Sequence, residues 1–389
     1  MQHNDTPFAN LTPDSLLDAL THIGLPVDGR LLALNSFENR VYQFGLDLEL
    51  PTPAQQALLD AHPALASGFV VAKFYRPARW SNAQILEEHT FANQLAEREL
   101  PVVAPLHING NTLHEFSGYR FAVFERRGGR APEFDNADTL RWMGRFLGRI
   151  HAVGQLATYT ERPALDLETF GHEPRNWLLQ SRVIPPELEE VWAGVSQQAL
   201  GEVGACFTRA GAHENSLRIL RLHGDCHAGN VLWTDADANS TRPPGPHFVD
   251  FDDSRNGPAI QDLWMLLSGE REHQQQQLQH LLGGYEEFCP FDARELHLVE
   301  ALRTLRLIHY SAWIARRWHD PAFPAAFPWF DSPRYWQDRI LELREQIAAM
   351  QEPPLSATGG ASSIATNAAT SPPDWQSWED DDLYDEKYD

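Results

Sequence analysis

A chain of 389 residues with 42% hydrophobic side chains can pack two lobes, and no run of eighteen apolar residues offers a membrane span. A formal net charge of −23 argues against non-specific binding to nucleic acid or to an anionic membrane, both of which favour basic surfaces. Three cysteines (Cys206, Cys226, Cys289) form no C-x-x-C pair, and Met1-Gln2-His3-Asn4-Asp5 lacks a basic start and apolar stretch, so a reduced, cytoplasmic location is expected; a monomer is expected separately.

Leu31-Leu32-Ala33-Leu34 and Arg40-Val41-Tyr42-Gln43-Phe44 read as short strands around the polar turn Asn35-Ser36-Phe37-Glu38-Asn39. A third strand, Phe69 to Tyr75, stops at Arg76-Pro77. Ser81 is placed to cap a helix from about Ala83 to Arg98, with Ile85, Leu86, Phe91 and Leu95 near helical spacing. Two more strands are expected near Val102 to Leu106 and Tyr119 to Phe124. That order, β-β-β-α-β-β, is that of a small kinase-like N-terminal lobe over residues 1–126, with the lobe boundary near 124–130.

Beyond Arg126-Arg127-Gly128-Gly129-Arg130 the pattern turns helical. Thr139 to Val153 carries Leu140, Met143, Leu147 and Ile150 on one face. Further helices are expected over 186–205, Leu263 to Leu267, Gln276 to Phe288, Arg294 to Trp318 and Tyr335 to Met350, with the run Gln274 to Gln277 on a helix surface. The fold class is therefore α+β: a two-lobed protein-kinase-like fold with a small antiparallel-sheet N-lobe and a mostly helical C-lobe over 127–351. From residue 352 a Ser/Ala/Thr/Pro-rich stretch ending in acidic residues predicts a disordered tail over 352–389. It reads as a solubilising tail, or as one that docks through Trp375, Trp378 and Tyr384.

The chemistry concentrates in His223-Gly224-Asp225-Cys226-His227-Ala228-Gly229-Asn230, directly after the apolar run Ile219 to Leu222. H-x-D-x-x-x-x-N spacing is what ATP-dependent phosphoryl transfer needs: a carboxylate to meet the attacking hydroxyl, and an amide oxygen for Mg²⁺. Asp225 is the candidate base and Asn230 a metal ligand. Phe248-Val249-Asp250 ends an apolar strand in a carboxylate that serves the same metal. Asp250-Phe251-Asp252-Asp253 stands where protein kinases carry D-F-G, which removes a glycine hinge and leaves open whether Asp252 shares the metal.

Lys73, inside an apolar strand, needs a partner. ATP phosphates and Glu88 on the following helix would provide it, with Glu87 as second choice. The glycine-free turn could contact phosphate through backbone N–H groups and Ser36, while Phe124-Glu125-Arg126 would meet the adenine. His223 is expected to bond backbone near Asp250, and Asp262 either to cap its helix or to brace the catalytic loop. A zinc-hydrolase reading of His223, Asp225 and His227 leaves Lys73, Glu88 and Asn230 unused.

Ser36-Phe37-Glu38-Asn39-Arg40-Val41-Tyr42, Lys73-Phe74-Tyr75-Arg76-Pro77, Ile85-Leu86-Glu87-Glu88-His89, His223 to Trp233 and Asp250 to Leu267 resemble the bacterial stress response kinase A family. That family belongs to the aminoglycoside phosphotransferase and choline kinase group, and the resemblance spans roughly residues 10–350. It implies Mg²⁺-ATP-dependent phosphorylation of protein serine or threonine by a non-specific serine/threonine protein kinase, autophosphorylation, and a role in surviving envelope or oxidative stress. By position it implies Asp225 as proton acceptor, Asn230 and Asp250 as Mg²⁺ ligands, Asp250 also as an active-site residue, and Ser36 at the ATP site. The rival is a small-molecule kinase acting on an aminoglycoside, choline-like amino alcohol or homoserine with the same catalytic residues. Against it, Trp313-Ile314-Ala315-Arg316-Arg317-Trp318 does not look like a pocket for a cation.

Overall fold

The computed structural model describes residues 6–214, 216–234 and 244–356. Near the N-terminus, the Thr12 hydroxyl accepts from the Ser15 N–H and Pro13 opens helix α1 (Pro13–His22), which buries Leu16, Ala19 and Leu20. Strands β1 (Val27–Leu34), β2 (Arg40–Leu46), β3 (Phe69–Phe74), β4 (His114–Phe116) and β5 (Tyr119–Glu125) form one antiparallel sheet in the order β1-β2-β3-β5-β4. Helix α2 (Pro53–Ala61) lies between β2 and β3, and α3 (Asn82–Ala96) follows β3.

Strand alternation sorts the two sheet faces. Phe44, Val70, Ala72, Phe74, Phe121 and Val123 pack with α1, whereas Tyr75 and Ala122 pack with Ile85 of α3. Lys73 faces away from the α1 core and sits on the central strand, opposite Val41 and Ala122. Ser81 and Gln84 close a reciprocal capping box at the start of α3, which fixes where that helix begins.

Two expectations fail here. Val102 to Leu106 is not a sheet strand: it makes only isolated bridges, Val102 to Phe248 and Pro105 to Phe124, and the fifth strand is β4. Pro101 and Pro105 have no N–H to give a ladder, so the apolar run between them cannot pair along its length. Helices α1 and α2 were not expected either; both begin at a proline after a threonine cap.

The remainder is mostly helical: α4 (Ala137–Gly154), α5 (Glu173–Ser181), α6 (Pro186–Arg209), α7 (Ile260–Trp264), α8 (Arg271–Tyr285), α9 (Val299–Arg317), α10 (Ala322–Ala326) and α11 (Pro333–Gln351). Two ribbons interrupt them, β6 (Leu220–Arg221) with β9 (Asn256–Gly257) and β7 (Val231–Thr234) with β8 (Gly245–Phe248). Helices α4 and α8 approach closely because Gly144 and Gly284 face each other's backbones. A Cβ at Gly144 would lie 2.0 Å from the Leu281 carbonyl oxygen, and one at Gly284 2.1 Å from that of Arg141.

The glutamine run is helical but only in part a surface. Gln274 and Gln277 are buried, with Gln274 donating to the Gly269 carbonyl (2.7 Å) and Gln277 accepting from the Ser268 N–H (2.9 Å). The expected helix from Arg294 begins as a 3-10 turn over Ala293–Leu298 before α9. Residues 352–356, expected in the tail, still pack: Leu355 is buried and Gln275 accepts from the Ser356 N–H at 2.7 Å. Trp375, Trp378 and Tyr384 lie outside the described residues. Among the described residues no helix is long and apolar enough to cross a membrane.

Glu295 in that 3-10 turn is fully buried and accepts from the Ile260 N–H at 2.9 Å, anchoring the start of α7. Burial pushes its carboxyl up to about 7. A raised carboxyl pKa stabilises the fold most below the unfolded value near 4.5, and that contribution fades as pH rises through 7. Glu295→Gln is therefore expected to gain on wild type, by up to about 3 kcal/mol, between pH 4.5 and 7. Urea midpoints of both proteins across that range check it; a pH-independent difference contradicts the assignment.

Candidate active site

The two loops that carry the motif are laid side by side by backbone pairing. Val231 pairs with Phe248 across β7 and β8, and the Val249 N–H donates to the Asn230 carbonyl at 3.0 Å. This holds the end of the 223–230 loop against the start of the 250–253 segment. His223 completes the join: its Nε2 donates to the Val249 carbonyl at 2.8 Å and its ring lies 4.5 Å from that of Phe251, as expected of a structural histidine.

Asp262 is a brace and not a cap. Its fully buried carboxylate accepts from the backbone N–H groups of His223 and Gly224, each at 2.8 Å. The same carboxylate meets His151 Nε2 at 3.0 Å, and His151 Nδ1 meets the Tyr285 hydroxyl at 2.9 Å, so α4 and α8 share in fixing the loop. Gly224 adopts φ of +90°, and a Cβ there would strike the Asp253 carbonyl oxygen at 2.1 Å. The glycine is what lets the two loops touch.

Asp225 emerges from this braced loop. Its Oδ1 accepts from Arg306 Nη1 at 2.7 Å, while Oδ2 lies 3.4 Å from Asn230 Nδ2 and 3.5 Å from His227 Nε2. Burial pushes its carboxyl up, but Arg306 and His227 outweigh this and hold it well below the usual carboxylate range. Asn230 also donates from Nδ2 to the Asp225 carbonyl at 2.9 Å, which leaves its amide oxygen as the atom for a cation. Arg306, on α9, carried no recognisable signal of its own. It belongs to a helix face (Leu302, Leu305, Arg306, His309, Tyr310, Trp313) whose spacing marks it only as one wall of a cleft.

Asp250 has φ 58° and ψ 65°, a left-handed conformation that side chains other than glycine seldom adopt. Such backbone is held by its surroundings and concentrates at functional sites. The Asp250 side chain is half exposed to the cleft and bonds Lys73 Nζ at 2.5 Å. Lys73 Nζ is also 3.5 Å from Asp252. Burial alone would push the Lys73 ammonium down; Asp250, Asp252 and Glu88 together raise it above its ordinary value, so it stays charged.

The expected Lys73–Glu88 ion pair is not closed. Lys73 spends its bonds on Asp250 and Asp252, and the cation nearest Glu88 is Arg162 Nη1 at 3.5 Å. Glu88 still acts on Lys73 through space, and burial pushes its carboxyl up to about 7 against the pull of Lys73 and Arg162. Glu87 is no partner of the lysine. It accepts from the N–H groups of Thr160, Glu161 and Arg162 and from the Thr160 hydroxyl, all within 2.7–3.0 Å, and so ties α3 to that loop.

Asp252 is held by bonds to neighbouring side chains. Its Oδ2 accepts from Asn39 Nδ2 (3.1 Å) and from Arg79, and its Oδ1 faces Lys73. Asp253 takes Arg79 at 2.8 Å and Arg255 at 3.0 Å. The Ser36 hydroxyl donates to the Asn39 carbonyl at 3.0 Å, which shapes the turn, and both residues line the cleft. Glu38 reaches to α9, accepting from Trp313 Nε1 at 2.6 Å and pairing with Arg317 Nε at 2.6 Å and with Arg76 Nε at 2.9 Å. Arg76 in turn pairs with Asp320 at 2.5 Å. The turn that roofs the cleft is thereby fastened to the helix that walls it.

These residues enclose a cavity of about 780 Å³. The lining includes Ser36, Glu38, Asn39, Asp225, Asn230, Asp250 and Asp252 in one part and Phe170, Arg255, Arg306, His309, Tyr310, Trp313, Phe327 and Trp329 in a second. Burial, with Arg255 nearby, holds His309 down at about 3, so that second part carries an uncharged imidazole. Asn230 and Asp250 offer one amide oxygen and one carboxylate, a hard-oxygen pair suited to Mg²⁺, which prefers to keep waters and phosphate oxygens in its shell. The zinc reading does not fit: the His223 Nε2 is committed to a carbonyl, and among the described residues no three or more His, Cys, Asp or Glu side chains are grouped to hold a metal.

With this geometry in place, comparison with known proteins is informative. Residues 37–299 match the model of the phosphotransferase enzyme family. "Stress response kinase A" of Escherichia coli O157:H7 is 44% identical over 358 residues, covering 92% of this chain and 99% of the relative. "Serine/threonine protein kinase RdoA" of Salmonella typhimurium is 43% identical over the same shares. Among solved structures, an amicoumacin kinase complexed with AMP-PNP, Ca²⁺ and Ami aligns with a TM-score of 0.61 at 17% identity, covering 88% of this chain and 95% of the other. A microcompartment-associated aminopropanol kinase aligns at 0.59 and 17%, covering 88% and 99%. At such identities the structures establish the shared two-lobed fold alone. The sequence relatives go further, and on their similarity the chain belongs to the stress response kinase A family within the phosphotransferase enzyme family.

Proposed function

We propose that the protein transfers the γ-phosphoryl group of Mg²⁺-ATP to serine or threonine hydroxyls of proteins, itself included, in the cytoplasmic response to stress. The observation that carries this reading is one cavity lined by Asp225, Asn230 and Asp250, with Lys73 bonded to Asp250. The transition state of phosphoryl transfer is loose, so position and charge matter more than covalent help. Asp225 orients the attacking hydroxyl and takes its proton. Lys73, held by Asp250 and Asp252, places its ammonium for the nucleotide phosphates, and the Ser36 turn closes over them. Asn230 and Asp250 would hold Mg²⁺, which when bound neutralises charge on the phosphate oxygens. The hinge at 124–126 receives the adenine, which puts the lobe boundary at residues 126–127.

A protein acceptor is favoured over a cationic small molecule by the acceptor side of the cavity. There Arg306 and Arg255 stand beside an uncharged His309 and aromatic rings. The name of the Salmonella relative points the same way. Incubation of the full chain with γ-labelled ATP and no added acceptor is the test. The expected result is base-labile phosphoserine or phosphothreonine on the chain, abolished by EDTA. An unlabelled chain that instead phosphorylates an added amino alcohol or aminoglycoside overturns the protein-kinase assignment in favour of the small-molecule one.

A further inference from the structure

We infer that Arg306 is a positioning residue for transfer: it fixes which oxygen of Asp225 meets the acceptor hydroxyl. The inference rests on the phosphotransferase reading of the site, though not on whether the acceptor is a protein. The two oxygens of Asp225 are held unequally. Oδ1 makes a charge-assisted hydrogen bond of 2.7 Å to Arg306 Nη1. Among the described residues Oδ2 is approached only by Asn230 Nδ2 at 3.4 Å and His227 Nε2 at 3.5 Å, both too long for a good hydrogen bond. Oδ2 is therefore the oxygen with more capacity to accept from an incoming hydroxyl, while Arg306 holds the other and so sets the direction of the carboxylate.

The cleft side of this pair is open to such a hydroxyl. The Asp225 and Arg306 side chains are 24% and 26% exposed, and both line the cavity. The opposite side of helix α9 is rigid, because Ala301, Ile308 and Ala312 are buried in the main core. His309, Tyr310 and Trp313, one and two turns further on, line the same cavity. An acceptor that settles along α9 thus touches the element that aims the carboxylate. A lysine would keep the charge but lose the planar fork that fixes direction.

The test is a double-mutant cycle on the full-length protein, with Arg306→Met, Asp225→Asn and the double variant. Arg306→Met alone is expected to lower kcat by on the order of 10²-fold, the usual result of a misaligned reacting group, with KM for Mg²⁺-ATP changed less than about threefold. In the Asp225→Asn background the same substitution should cost nothing further, because its effect passes through the carboxylate. Arg306→Lys should recover part of kcat, and free guanidinium should recover part of it in Arg306→Ala. Independent, multiplicative losses in the double variant overturn the inference, as does a matched rise in KM for ATP. A chain that phosphorylates only a small acceptor defeats the proposed function instead, and the cycle is then read on that acceptor.

Discussion

Asp225→Asn is expected to cut phosphoryl transfer by on the order of 10² to 10⁴-fold while nucleotide affinity moves less than about threefold. The substitution preserves volume and leaves an amide oxygen for Arg306, so the loop braced by Asp262 has no reason to shift. What it removes is the group proposed to take the hydroxyl proton. Single-turnover phosphorylation measured beside equilibrium nucleotide binding separates the two quantities. Wild-type turnover in this variant would show that Asp225 does nothing in the chemistry and would dissolve the assignment of the entire loop.

Asp250→Asn is expected to act more broadly. Turnover should fall by on the order of 10³-fold or more, and the divalent-cation dependence of nucleotide binding should be lost with it. The reason is double duty: Asp250 is the charged member of the oxygen pair offered to Mg²⁺, and it bonds Lys73 at 2.5 Å. Asparagine neutralises the first role and leaves Lys73 with Asp252 at 3.5 Å as its ion-pair partner. Nucleotide titrations with and without Mg²⁺ decide the matter. Retained metal dependence would move the cation site away from Asp250. The contrast between the variants is diagnostic, since one keeps nucleotide binding and the other loses its metal-dependent part.

Much of this was legible from local spacing. His223, Asp225, Asn230 and Asp250 lie within 28 residues, and the motif encodes their order along two adjoining loops. Lys73 was legible because a lysine in an apolar strand needs a counter-charge. What spacing could not reveal were partners far apart in the chain. Arg306 meets Asp225 across 81 residues, and Glu38 meets Trp313 across 275. Lys73 shows the same limit in reverse. Helix periodicity pointed to Glu88 as its counter-ion, but two carboxylates 177 and 179 positions away reach it first. In the sheet, Val102 to Leu106 has strand-like composition, yet flanking prolines deny it a ladder, a feature carried by backbone N–H groups and not by hydropathy.

The Glu38 junction has a consequence for salt dependence. Glu38, Arg76 and Asp320 are largely shielded from solvent, with side-chain exposures of 11%, 7% and 4%, so dissolved ions screen their attraction poorly. Lifting the turn away from α9 would break the bonds of Glu38 to Trp313 and Arg317 together. The turn and α9 are thus expected to stay joined across a wide range of ionic strength, because added salt does little to loosen contacts so shielded from water.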